Sequence, residues 1–76
     1  QNSHMSRFPT WRKPSGAPVS CVEKIKVLNE NLAELRNLAQ ETLDDALLLG
    51  CSKEQARQIL RDMLNELDSP YEEIPE

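Results

Sequence analysis

The sequence has almost none of the side chains that carry enzyme chemistry. Its single histidine, His4, lies in residues 1–4, which resemble the remnant of a cleaved expression tag ahead of Met5. A chain without a native histidine lacks the commonest general base and the commonest zinc ligand. The sequence also contains no glycine-rich phosphate loop, no CxxC motif and no HExxH motif. We therefore expect a protein that is not an enzyme and that holds neither a cofactor nor a metal ion.

Cysteines and long apolar runs are scarce as well. Cys21 and Cys51 are the only cysteines, and at the two ends of one continuous helix they would lie about 45 Å apart. A disulfide needs Cα atoms within roughly 7 Å, so we predict no bridge within the chain. Two reduced thiols are typical of a cytoplasmic protein. Since no run of about 20 apolar residues occurs, we also predict no membrane span.

Only three residues are aromatic, and none of them lies in the predicted helices. Phe8 and Trp11 fall in residues 5–19, a segment with three prolines, one glycine and only basic charges. We expect this segment to be a flexible, proline-rich basic arm. Its aromatic rings either fold back onto the helices of the same or a partner chain, stay loose in solvent, or belong to a docking peptide. That candidate docking arm consists of Phe8, Trp11, Arg12 and Lys13.

The longest predicted element is a helix between Ser20 and Gly50. Ser20 and Glu23 fit a capping box, and Gly50 tolerates the left-handed conformation that ends a helix. No proline or glycine lies between them. Apolar residues at alternating steps of three and four mark one stripe of this helix, a spacing typical of coiled-coil contacts. We call this stripe the seam; it consists of Val22, Ile25, Leu28, Leu32, Leu35 and Ala39.

A second, shorter helix is predicted to begin after Ser52, a favourable N-cap with a glutamine three residues later. The short connection predicts an antiparallel hairpin over residues 20–68, followed by a flexible acidic tail over residues 69–76. The two helices would be about 44 Å and about 24 Å long. The second helix would therefore cover only residues from about 35 to 49 of the first.

The uncovered part of the seam predicts a partner. Burying one leucine or isoleucine is worth about 1.5–3 kcal/mol. Four or five such residues are comparable with the whole stability of a small domain. Our leading hypothesis is an all-α homodimer in which two hairpins form a four-helix bundle. A helix of a different protein is the other candidate for covering the seam.

The charge distribution bears on binding to nucleic acid. Residues 1–20 carry +3 and residues 21–76 carry −7, which gives the net charge of −4. An acidic body disfavours broad contact with nucleic acids and anionic membranes. An alternative function is nevertheless a small DNA-binding regulator, because segment 43–61 has the spacing of a helix-turn-helix motif. Its contacts with DNA would be Lys53, Arg57 and Arg61.

The same basic stripe has a simpler explanation. Any glycine-terminated helix followed by a serine-capped helix produces the spacing of segment 43–61, and a helix-turn-helix domain usually has a third helix. The three basic residues would then pair across the hairpin with Glu41, Asp44 and Asp45. We therefore predict a non-enzymatic helical module for protein–protein interaction, an adaptor or regulator that acts as a cytoplasmic homodimer.

Overall fold

The chain folds into two α-helices. The computed structural model describes residues 8–74, in which α1 spans Val22–Leu48 and α2 spans Lys53–Glu66. No β-strand occurs in this part of the chain. The prediction of an all-α helical hairpin with one long and one short helix is therefore confirmed, while the four-helix bundle stays a prediction. The described residues divide into two compact units, 8–34 with 73–74 and 35–72.

Gly50 ends α1 as its sequence position predicts. Its φ is +99°, and its N–H donates a hydrogen bond of 3.0 Å to the carbonyl of Leu47. The N–H of Cys51 donates a bond of 2.9 Å to the carbonyl of Ala46. These two bonds make up a Schellman motif, which satisfies carbonyls that the end of a helix leaves without a partner.

The two helices begin with different caps. Ser52 has the extended backbone of an N-cap, and its Oγ accepts a hydrogen bond of 3.0 Å from the N–H of Gln55, as predicted. The first helix begins one residue later than predicted. The carbonyl of Cys21 accepts a bond of 3.0 Å from the N–H of Ile25. Cys21 therefore occupies the N-cap position, and the expected capping box at Ser20 is wrong by one residue.

A hydrogen-bonded turn precedes α1. The carbonyl of Lys13 accepts a bond of 2.8 Å from the N–H of Gly16, and the N–H of Lys13 donates a bond of 2.8 Å to the carbonyl of Ala17. Gly16 has a φ of +98°. A three-residue loop closed by a glycine of positive φ is the geometry of a β-hairpin with a G1 bulge. The N–H of Val19 continues the pairing with a bond of 2.8 Å to the carbonyl of Trp11.

The described part of the predicted arm therefore has a defined conformation, which we call the N-terminal turn (residues 11–19). An isolated antiparallel bridge joins Arg12 and Pro18 within it. Pro14 occupies the first loop position, where the fixed φ of proline favours a turn. The predicted flexibility of the arm is a statement about motion and stays a prediction.

The two helices bury very little between them. Among residues 8–74 only Ala56 of α2 is buried, with 6% of its surface exposed. Within the second unit, Ala39 and Leu43 of α1 lie beside Leu60 and Leu64 of α2 along one groove. A small alanine at the contact lets helices approach closely, but four aliphatic side chains make a thin core. The sequence thus builds a hairpin whose apolar residues stay largely in contact with water.

Neither helix is suited to crossing a membrane. The 27 residues of α1 are long enough for a bilayer, but charged side chains recur along the helix. The 14 residues of α2 are too few. This finding concerns residues 8–74.

Candidate interaction surfaces

The seam stays accessible in the folded chain. Leu28 and Leu35 are 40% and 42% exposed, and Val22 is exposed further still. The other three seam residues, Ile25, Leu32 and Ala39, are half-buried. None of the six is fully buried, although all are apolar. Each therefore has surface left that a second chain could remove from water.

In the first unit, the N-terminal turn contacts one face of α1. The indole Nε1 of Trp11 donates a hydrogen bond of 2.8 Å to Oδ1 of Asn29, and the Trp11 side chain is half-buried. An open groove of about 450 Å³ runs along this face. Its lining residues are Phe8, Val22, Ile25, Lys26, Asn29, Glu30 and Ala33. The interpretation that the aromatic rings fold back onto the helix of the same chain is therefore correct for Trp11.

The two basic residues of the candidate docking arm differ in their surroundings. The guanidinium Nη1 of Arg12 donates a bond of 2.8 Å to the carbonyl of Gly16, inside the N-terminal turn. The side chain of Lys13 is exposed. Arg12 thus helps to hold the turn together, because its side-chain hydrogen bond closes the loop in addition to the backbone hydrogen bonds. Lys13 stays available to solvent.

In the second unit, α1 and α2 form a groove with cationic walls, which we call the arginine groove. Its floor is apolar, and both arginines of the predicted stripe at positions 57 and 61 lie along it. Its lining residues are Arg36, Ala39, Gln40, Leu43, Arg57, Leu60, Arg61 and Leu64. Arg36 was missing from the candidate residues predicted from the sequence. Its place beside α2 depends on the rotation of α1 about its axis, which a one-dimensional pattern of charges does not reveal.

The predicted ion pairs across the hairpin do not form. Among residues 8–74 the single ion pair joins Nη2 of Arg61 to Oε2 of Glu54 at 3.9 Å, both on α2. Arg61 Nη2 also donates a bond of 3.0 Å to Oε1 of Gln58. Across the groove, Asp44 accepts a bond of 3.1 Å from Nε2 of Gln40 on its own helix. These partners lie one turn away on the same helix, or two turns away in the case of Glu54, and they take the place of partners on the other helix.

Residues that commonly bind metals do not cluster in the described part of the chain. Residues 8–74 hold no group of three or more histidine, cysteine, aspartate or glutamate side chains close enough to share an ion. Both thiols, at Cys21 and Cys51, are free and exposed. The apolar and cationic surfaces described above are consequently the features from which a function can be argued.

Comparison of the chain with models of protein families, with known proteins and with solved structures found no match. Arguments about function therefore rest on the geometry and chemistry of the two units.

Proposed function

We propose that the protein is a non-enzymatic helical module for protein–protein interaction that acts as a homodimer, with the seam as its self-association surface. The observation that carries this proposal is the lack of a core: of the residues 8–74, only Ala56 is buried. Fifteen large apolar side chains in the same range are exposed by more than a third. A folded monomer with so little buried apolar surface has little to offset the entropy of ordering its chain.

The seam offers apolar surface that association can bury. Leu28 and Leu35 lie seven residues apart on α1, so they fall on one stripe of the helix. Full burial of a leucine side chain is worth about 1.5–3 kcal/mol. In a two-fold symmetric dimer the same residue is buried on both chains, so this free energy is gained twice. On α2, Ile59 and Met63 are exposed and lie one turn apart. They offer the seam of a second copy an apolar surface, as a four-helix bundle requires.

The DNA-binding alternative has less support. In a helix-turn-helix motif the two helices cross at roughly 90–120°. Here the groove is lined from Arg36 to Leu43 on α1 and from Arg57 to Leu64 on α2, about two turns of each helix. Contact over that length is typical of helices that run side by side. The positions of Arg57 and Arg61 along this groove therefore favour a role in protein contact.

The oligomeric state tests the proposal. We expect the wild-type chain to be a dimer in sedimentation equilibrium at micromolar concentration, and Leu28→Asp/Leu35→Asp to be a monomer. Because a protomer alone buries so little apolar surface, the monomeric variant should also lose much of the helical circular dichroism that the dimer shows. The matched control is Asn37→Asp, which adds a carboxylate at an exposed position of α1 away from the seam.

Two results would contradict the proposal. The first is a wild-type chain that sediments as a stable helical monomer, which would leave the seam to a helix of a different protein. The second is a leucine double variant that stays dimeric with the same dissociation constant as the asparagine control.

A further inference from the structure

We propose that the arginine groove binds an acidic amphipathic helix of another protein. This surface lies within residues 35–72; it shares Ala39 with the seam and differs from it in its cationic walls. The proposal does not require the seam dimer, because it rests on the floor and the walls of the groove alone.

The floor of the groove fits an apolar helix face. Ala39 and Leu43 are four residues apart on α1, as are Leu60 and Leu64 on α2. Two such pairs on adjacent helices make a trough into which side chains at positions i, i+3 or i+4 and i+7 of a third helix can pack. Leu64 is exposed and the other three side chains are half-buried. A docked helix would complete a three-helix core that the hairpin does not have.

The walls of the groove select for negative charge. Three arginines and one glutamine line them, and no carboxylate does. Arg36 and Arg57 make no ion pair among residues 8–74. The pair of Arg61 with Glu54 is long, and the two side chains are 53% and 87% exposed, so water screens it and it is readily exchanged. All three guanidinium groups are therefore available to carboxylates, which they can bind with two parallel hydrogen bonds.

A second copy of this chain is not the occupant that the charges favour. The positions three or four residues from Leu28 and Leu32 on the surface of α1 include Lys24, Asn31 and Arg36, and none carries a carboxylate. A seam docked in the arginine groove would bring cations and amides to the guanidinium groups. An acidic helix from a different protein supplies the missing charge.

Nucleic acid fits the groove less well than an acidic helix. A phosphate backbone would satisfy the arginines but would leave the leucine floor without an apolar partner. The remaining surface of α2 also carries Glu54, Asp62 and Glu66, all exposed, which repel an extended polyanion.

The test uses the full chain and a fluorescein-labelled helical peptide of 18 residues, designed with leucines at helical spacing and glutamates on both flanks. A second peptide has glutamine in place of every glutamate. Fluorescence anisotropy measures the affinity of each for the wild-type chain, for Arg36→Gln/Arg57→Gln and for the control Lys13→Gln/Lys53→Gln. The control removes the same charge from positions outside the groove.

We expect the acidic peptide to bind the wild-type chain, and the groove variant to lose about tenfold or more in affinity, since each replaced arginine removes charge-assisted hydrogen bonds to the carboxylates of the peptide. The control should change affinity by less than about twofold, because exposed charges away from the contact add little. The glutamine peptide should bind much more weakly, a comparison that does not depend on any protein variant.

Three outcomes would overturn the proposal. One is equal loss of affinity in both double variants, which would mean attraction to net charge alone. Another is equal binding of the acidic and glutamine peptides. The third is binding of duplex DNA, but not of the acidic peptide, with the same dependence on Arg36 and Arg57.

Discussion

Trp11 and Asn29 are joined by a hydrogen bond of 2.8 Å that fastens the N-terminal turn to α1. An indole has a single hydrogen-bond donor, its N–H. In a half-buried indole that N–H usually has one hydrogen-bond partner. Asn29 supplies that partner from a face of the helix that also carries Val22, Ile25 and Ala33. The position of the Trp11 ring therefore depends on the rotamer of Asn29 that accepts this bond.

Replacing Asn29 with alanine should loosen this contact. A neutral hydrogen bond contributes about 0.5–1.5 kcal/mol, enough to shift an exposed turn towards its undocked form. Trp11 is the only tryptophan, so its fluorescence reports on the turn alone. We expect a red-shifted emission maximum and faster quenching by iodide in Asn29→Ala than in the wild-type chain.

The control for this prediction is Asn31→Ala, an exposed asparagine two residues further along α1. It should leave both emission and quenching unchanged. Identical spectra for the two variants would mean that the Trp11–Asn29 bond does not hold the turn.

The caps of the two helices predict losses of stability of different size for two serines. Ser52→Ala removes the Oγ that accepts from the N–H of Gln55 and should lower the free energy of unfolding by about 1 kcal/mol. Ser52→Asp should retain most of the wild-type free energy of unfolding. Ser20→Ala should cost less than about 0.5 kcal/mol, because Cys21 occupies the N-cap of α1 and surface changes without such a role are small.

Urea denaturation at one fixed protein concentration measures these differences, since self-association would otherwise add its own contribution. An equal loss in Ser20→Ala and Ser52→Ala would restore the capping box expected from the sequence. It would also show that α1 begins at Cys21 in solution.

A substitution at Gly50 would cause backbone strain without a steric clash. A Cβ added there meets no atom within 4 Å, but the φ of +99° is one that other residues rarely adopt. Gly50→Ala should therefore destabilise the chain by about 1–2 kcal/mol. Gly50→Asn should cost less, because asparagine tolerates the left-handed region better. Urea denaturation midpoints with the slope unchanged would report the two values, and an alanine variant as stable as wild type would contradict the Schellman geometry.

The parts of the fold that followed from the sequence are those decided within a few residues. Gly50 and Ser52 satisfy the backbone groups of adjacent turns, so their types and spacing suffice to place the junction between α1 and α2. The apolar periods of three and four likewise require no knowledge of the partner surface.

The parts that did not follow depend on competition between distant groups. Lys13, Pro14 and Gly16 have the residue types of a turn, yet only the pairing of Val19 with Trp11 extends that turn into a hairpin. The side of α1 on which Arg36 lies is set by how the helices rotate against each other. The bonding partners of Arg61 lie close to it on its own helix. The number of charges in the sequence does not predict which helix supplies those partners.

The two exposed thiols can decide how two chains pack in the proposed dimer. If the two α1 helices run antiparallel and overlap along their whole length, Cys21 of one chain approaches Cys51 of the other. If they run parallel, each cysteine faces its own copy. A disulfide forms only where Cα atoms come within roughly 7 Å, so mild oxidation at micromolar concentration should trap whichever pair is close.

Non-reducing electrophoresis of the variants Cys21→Ser and Cys51→Ser separates the two arrangements. We expect the wild-type chain to cross-link into a dimer and each single variant to stay monomeric on the gel, because the antiparallel bridge needs one cysteine of each kind. Persistent cross-linking of either single variant would contradict the antiparallel arrangement and favour the parallel one. The leucine double variant Leu28→Asp/Leu35→Asp should cross-link far more slowly, since its thiols meet only by diffusion.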